Sequence, residues 1–128
     1  MSKPPLHYFH VTCPPGLEFV LEEELRGLGI RRSKPGAGSV SFRANLKMGL
    51  KILLWTRVGS RVLLELMRLP ARDGDELYEE VRSLAWDERI SLRSTFAIDV
   101  IGTSSTLRHT HFTGQRIKDG ICDSFRDV

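Results

Sequence analysis

The stretch STLRHTHFTGQRIKDGICDSFRDV, residues 105–128, gathers Arg108, His109, His111, Arg116, Lys118 and Cys122 into the last part of the chain. His109 and His111 stand two apart. On a strand that spacing shares one face and could hold zinc, with the Cys122 thiolate as a third ligand. No second spaced pair accompanies them, and Cys122 follows Ile121 in a helical pattern where a cysteine acts as a small apolar residue. No metal site is therefore expected. Two other readings compete: solvated surface histidines, and an anion site. If Thr110 caps a helix, the free N–H groups of residues 111–113 open at its positive end, with Arg108, His109 and His111 around it. Phosphate suits such a place. Arg116 and Lys118 lie further along the same helix, where Asp119 and Asp123 equally allow a nearly neutral, solvated face.

Other chemistry is hard to assemble from these residues. A nucleotide-type cofactor takes a glycine-rich strand-to-helix turn, and some catalytic loops carry an Asn/Asp-Pro-Pro-aromatic motif. PGAG (35–38) reads as a hairpin turn rather than a GxGxxG fingerprint, and CPPG (13–16) has neither the preceding Asn/Asp nor the following aromatic. The order of the chain assigns no Ser-His-Asp or Cys-His pair. No catalytic or cofactor-binding residues are expected.

The composition, 41% hydrophobic and 27% charged over 128 residues, is that of a folded domain or two small ones. Apolar runs are too short to span a membrane, and the N-terminal residues, broken by Pro4, Pro5, His7 and His10, do not form a signal peptide. A cytoplasmic chain with Cys13 and Cys122 reduced is expected. The net charge of +3 conceals a segregation: between Arg26 and Arg72 eleven Lys and Arg face one acid, Glu65. Such blocks either pair with acidic neighbours on the surface or attract a polyanion, and RNA is the natural partner of the second arrangement.

The elements that must position these residues follow from periodicity. LHYFHVTC reads as a strand entering a Pro-Pro-Gly turn. GLEFVLEEELRGLG is an amphipathic helix with Leu17, Val20, Leu21, Leu25 and Leu28 inward and Gly29 as its stop. IRRSKPGAGSVSFRA gives two short strands about a Pro-Gly-Ala-Gly turn, with Val40 and Phe42 on one face. Asn45 caps a helix carrying Leu46, Leu50, Leu53 and Leu54 and ending near Gly59. SRVLLELMRLP closes the set as a strand. Strand, helix, strand, strand, helix, strand is the ferredoxin-like arrangement. A second domain begins after Pro70, with a helix through Leu77, Val81 and Leu84. STFAIDVIGTSS (94–105) reads as a strand, and a last helix runs from about His111 with Ile117, Ile121 and Phe125 buried. Trp55 and Trp86 are expected as core or domain-interface anchors.

GLEFVLEEELRGLG, LLWTRVGSRVLLEL, LYEEVRSLAWDE and TFAIDVIGTSSTLRHTHFTGQRIKDGICDSF, in this order, resemble the N-terminal part of bacterial large-subunit rRNA guanine-N2 methyltransferases of the RlmL (RlmKL) type. The elements Trp55-Thr56-Arg57, Ser60-Arg61 and Arg108 with Lys118-Asp119 carry much of that likeness. The resemblance implies an α+β chain: a ferredoxin-like domain over 1–70, then the first α/β part of an RNA-binding THUMP domain over 71–128, with a family boundary as early as residue 46 left open. It implies RNA contacts at Arg108 and Lys118, positions the family keeps basic; His109 and His111 at the helix start and Arg116 are expected beside them, with Arg57 and Arg61 continuing the track, although an Arg beside Trp55 could equally stack within the fold. S-adenosylmethionine would belong to a domain outside these residues. Ribosomal RNA is the expected partner; DNA and membrane are not. The competing expectation is a ferredoxin-like module that binds a protein or small ligand and no RNA. If the strand at 94–102 lacks partners, its open edge predicts self-association.

Overall fold

The structure, a computed structural model, describes residues 3–70, 72–102, 107 and 109–127. The chain is α+β and divides into two compact units, Met1–Arg68 and Leu69–Val128.

In the first unit, strand β1 (His7–Thr12) is followed by helix α1 (Glu18–Gly27), a hairpin of β2 (Lys34–Gly36) and β3 (Ser39–Ala44), helix α2 (Leu46–Trp55) and strand β4 (Arg61–Leu64). The four strands form one antiparallel sheet in the order β2-β3-β1-β4. This is the ferredoxin-like topology expected from the element order. Side chains alternate along each strand, so Phe9, Val11, Val40, Phe42 and Ala44 turn to one face. There they are buried with Leu21 and Leu25 of α1 and Ile52 of α2. The opposite face carries Tyr8, His10, Ser41 and Arg43, paired across the strands as Tyr8 with Arg43 and His10 with Ser41.

Local chemistry explains where the elements stop. After α1, Gly29 takes φ 113°, its N–H donates to the Arg26 carbonyl, and the Ile30 N–H donates to the Leu25 carbonyl at 2.9 Å. That left-handed stop leaves Ile30 packed in the same core as Leu25. Asn45 Oδ1 accepts from the Met48 N–H at 2.8 Å and starts α2. The hairpin turn is Ala37-Gly38, because Pro35 and Gly36 already pair with Val40 and Ser39. Helix α2 stops at Trp55 rather than near Gly59, since Thr56 is extended.

The second unit holds helix α3 (Gly74–Arg82), a short 3-10 turn (Trp86–Glu88) and helix α4 (Thr110–Arg126). Leu77, Val81, Trp86 and Ile121 form its core, with Ile117 and Phe125 packed against them. Gly74 and Gly120 let the helices approach: a Cβ on Gly74 would lie 2.7 Å from the Phe112 ring, and one on Gly120 would lie 3.0 Å from the Tyr78 carbonyl. Arg82 donates both to Asp127 Oδ2 at 2.7 Å and to Oδ1 at 2.8 Å. The Tyr78 hydroxyl donates to Asp123.

Two expectations change. The strand expected from Ser94 does not form over 94–102, and no described residue of the second unit is in a strand. Residues 103–105 of that expected strand lie outside the described residues. Ile98 and Val100 are still partly buried between exposed Ala97, Asp99 and Ile101, so the period-two pattern survives without a ladder. A strand needs a partner for its backbone groups, and alternation cannot supply one. Trp55, expected as an anchor, is 63% exposed, whereas Trp86 is buried with its indole N–H donating to the Val81 carbonyl at 2.7 Å.

Candidate nucleic-acid interface

Helix α4 begins one residue earlier than expected. Thr110 is its first residue and His109 occupies the cap position, with no hydrogen bond from its side chain. The Thr113 N–H is the first to find a helical acceptor, the His109 carbonyl at 2.9 Å. The open N–H groups therefore belong to Thr110, His111 and Phe112 rather than to 111–113. His109 and His111 are exposed beside them. Arg108 lies outside the described residues.

His111 and Lys118, two turns apart on one side of α4, line a groove of about 540 Å³ together with Thr110, Gly114, Gln115 and the segment Phe96–Val100. Among these lining residues Lys118 is the one Lys or Arg and Asp99 the one acid. Arg116 points elsewhere. Its guanidinium lies 4.4 Å from the Tyr78 ring and within 3.4 Å of Asp75, Asp119 and the Gly74 carbonyl, so it ties α4 to α3. The zinc alternative fails on distance: His111 and Cys122 are eleven residues apart on one helix, about 16 Å along its axis.

In the first unit, Arg57 sits in the loop between α2 and β4, and Glu24 of α1 pins that loop. Its carboxylate accepts from the Thr56 hydroxyl at 2.5 Å, the Arg57 N–H at 2.9 Å and the Val58 N–H at 3.4 Å. Desolvation pushes the Glu24 carboxyl up, but these hydrogen bonds together hold it below its ordinary range. The Arg57 side chain is left exposed. Arg61 opens β4, its N–H donating to Thr12 Oγ1 at 3.1 Å, and it pairs with Thr12, which places it on the helix-free face.

That face carries a cluster the sequence did not disclose. The His10 ring bonds Glu65 Oε2 through Nε2 at 2.7 Å and Ser41 Oγ through Nδ1 at 2.7 Å. A carboxylate only accepts, so Nε2 carries a hydrogen and donates it to Glu65, while Nδ1 shares the other bond with the Ser41 hydroxyl. Arg68 completes the chain, donating from Nε to Glu65 Oε1 at 2.5 Å. Hydrogen bonds from Arg68, then from His10, hold the Glu65 carboxyl below its ordinary range. Serine, histidine and carboxylate in line form the outline of a nucleophilic triad. Ser41, however, lies on β3 with β1 and β2 on either side, its backbone engaged in the sheet, and no adjacent N–H is free to hold an oxyanion. The cluster suits holding and orienting, not acyl transfer. Only the alternation of Tyr8 and His10 against Phe9 and Val11 hinted at it, because its members are 31 and 55 residues apart.

The β1–α1 connection is a strand-to-helix turn, but its donors are taken. Glu18 accepts from the Gly16 and Gly38 N–H groups at 2.9 Å each, and the Gly38 bond above all lowers its carboxyl. These residues do not fit S-adenosylmethionine. Among the described residues no group of His, Cys, Asp and Glu could hold a metal, and no described helix is long and apolar enough to cross a membrane.

Residues 8–63 match the model of the RlmL ferredoxin-like domain, and residues 71–128 match that of the THUMP domain. The chain belongs to the RlmL family, as a ferredoxin-like domain followed by a THUMP domain. Curated relatives named ribosomal RNA large subunit methyltransferase K/L include those of Colwellia psychrerythraea, 39% identical over 93% of this chain, and Marinobacter nauticus, 37% identical over 98%. The RlmL-type chain spans about 17% of the length of either relative. Among solved structures, a Listeria monocytogenes protein titled a predicted N6-adenine-specific DNA methylase superposes with a TM-score of 0.81 at 28% identity, over 96% of this chain and 32% of its own. SMU.472, assigned as a methyltransferase and solved in complex with SAH, superposes at 0.83 with 26% identity, over 99% of this chain and 33% of its own.

Proposed function

We propose that this chain is the RNA-holding part of a ribosomal RNA methyltransferase. It positions structured RNA through phosphate contacts for guanine-N2 methylation, with S-adenosylmethionine bound by a domain outside these residues. One observation carries the reading: in a chain of the RlmL family, His111 and Lys118 share a groove that opens at the uncapped start of α4. Free N–H groups at a helix start, with cations beside them, favour an anion. His109, and Arg108 by its place in the sequence, add to that end. Arg57 and Arg61 supply exposed charge on the first unit. Arg116 is assigned to holding α4 on α3 and not to the RNA. The partner proposed is ribosomal RNA and the compartment the cytoplasm.

Phosphate contacts position RNA without reading its sequence. Lys118→Ala and His111→Ala are expected to weaken binding of an rRNA stem-loop severalfold, by similar factors for unrelated loop sequences, as measured by fluorescence anisotropy. Affinity unchanged in the double variant would remove this groove from the interface.

A second reading, a protein-interaction module, draws on α2. Leu46, Leu50, Leu53, Leu54 and Trp55 are all half or more exposed along this helix, a larger apolar surface than a solitary unit ordinarily leaves open.

A further inference from the structure

We infer that the helix-free face of the ferredoxin-like sheet is a second RNA site, one that takes an unpaired nucleotide by stacking on Tyr8. It rests on the RNA-binding reading and goes beyond it, since neither Tyr8 nor the residues lining the cavity beside it are among Arg57, Arg61 or the α4 residues.

The strand register builds the site. Tyr8, His10, Ser41, Arg43 and Lys34 share this face through the pairs Tyr8–Arg43, His10–Ser41 and Lys34–Ser41. Tyr8 stands on β1, an inner strand, and is 45% exposed on the sheet face that α1 and α2 leave uncovered. Two guanidiniums flank its ring, Arg43 at 5.2 Å and Arg68 at 5.7 Å from the centroid. Planar cations and an aromatic ring in sequence form a platform on which a nucleobase stacks, whatever its identity. Beside the platform lies a cavity of about 730 Å³ lined by Tyr8, His10, Lys34, Ser41, Glu65 and Arg68, among others, large enough for a nucleotide.

Charge points to an anionic ligand. Lys34 and Arg43 have exposed side chains, and no ion pair is found for either among the described residues. Glu65, the acid of the cavity, is already engaged by Arg68 and His10. The Ser41 hydroxyl bonds His10 Nδ1 and keeps a lone pair for a donor such as a ribose 2′-hydroxyl or a base amine. A duplex keeps its bases stacked inside and cannot offer one to Tyr8. The ligand class is therefore single-stranded RNA, such as a loop or a bulge.

The test uses the full chain and a fluorescent single-stranded 12-nucleotide RNA of mixed sequence. Tyr8→Ala is expected to weaken binding roughly tenfold, and Tyr8→Phe, which keeps the ring, to stay within twofold of the parent. Lys34→Ala and Arg43→Ala, both on exposed side chains, should each reduce the log-log salt slope by about 0.7. A 4-thiouridine probe should crosslink to the peptide that holds Tyr8. Parent affinity in Tyr8→Ala, equal loss in Tyr8→Phe, or crosslinks confined to α4 would overturn this site while leaving the α4 reading standing. Poly-glutamate displacing the RNA equally from parent and Tyr8→Ala would reduce the face to a general anion surface and also overturn it. No salt-sensitive RNA binding by the parent chain would overturn both.

Discussion

Glu24 shows how one carboxylate fixes a loop. Its bonds to Thr56, Arg57 and Val58 join α1 to the turn before β4 and leave Arg57 facing solvent. Because its folded-state carboxyl is held below the ordinary value, its contribution to stability is complete above roughly pH 4.3 and is lost as pH falls through the lowered value. Glu24→Gln is therefore expected to be less stable than the parent at pH 6, with the difference narrowing in acid, as read by urea midpoints at successive pH values. A constant difference down to pH 3 would contradict this. At Gly49 the question is space. A Cβ there would lie 2.2 Å from the Phe9 ring, and Phe9 is itself buried in the core. The helix propensity gained by Gly49→Ala, about 1 kcal/mol, should be outweighed by overpacking of roughly 1–3 kcal/mol, with a lower melting temperature by circular dichroism. An unchanged or raised melting temperature would show that the ring gives way.

At the scale of elements, what could be read from the sequence was what depends on near neighbours. Leu21 and Leu25 one turn apart, Asn45 before α2 and Gly29 after α1 are signals within a few residues, and each sits where periodicity and capping put it. The hairpin turn shifted to Ala37-Gly38 because pairing, not composition, decides which residues turn. The strand expected from Ser94 depends on a partner segment, which no local pattern reveals. The Ser41–His10–Glu65 cluster depends on the register of three strands and was closed to the sequence for the same reason. Trp55 lies outside the core, since an aromatic at the end of an apolar helix suits a core or an exposed face equally well. Helix α2 now carries its own prediction. Sedimentation at rising concentration should show self-association, and Leu54→Glu, at a position 79% exposed, should lower it without loss of fold. Association unchanged by Leu54→Glu would move the contact to the open segment Ser94–Gly102. A single monomeric species at every concentration would count against both surfaces.

At the scale of the molecule, the chain joins an RlmL ferredoxin-like domain to a THUMP domain and spans a small part of its curated relatives. Its net charge of +3 is modest, so any affinity for RNA must come from where the cations stand: Lys118 in the α4 groove that His111 also lines, and Lys34, Arg43 and Arg61 on the helix-free sheet face. Phosphate contacts of this kind release counterions and make binding fall with salt, whereas a protein-interaction module would show no such dependence on RNA. The most direct measurement is the affinity of the whole chain for a structured rRNA fragment across a salt series. A log-log slope near −2 or steeper is expected, about three neutralised phosphates at roughly −0.7 each. A flat slope, or no measurable binding at low salt, would contradict the assignment of this chain to holding RNA.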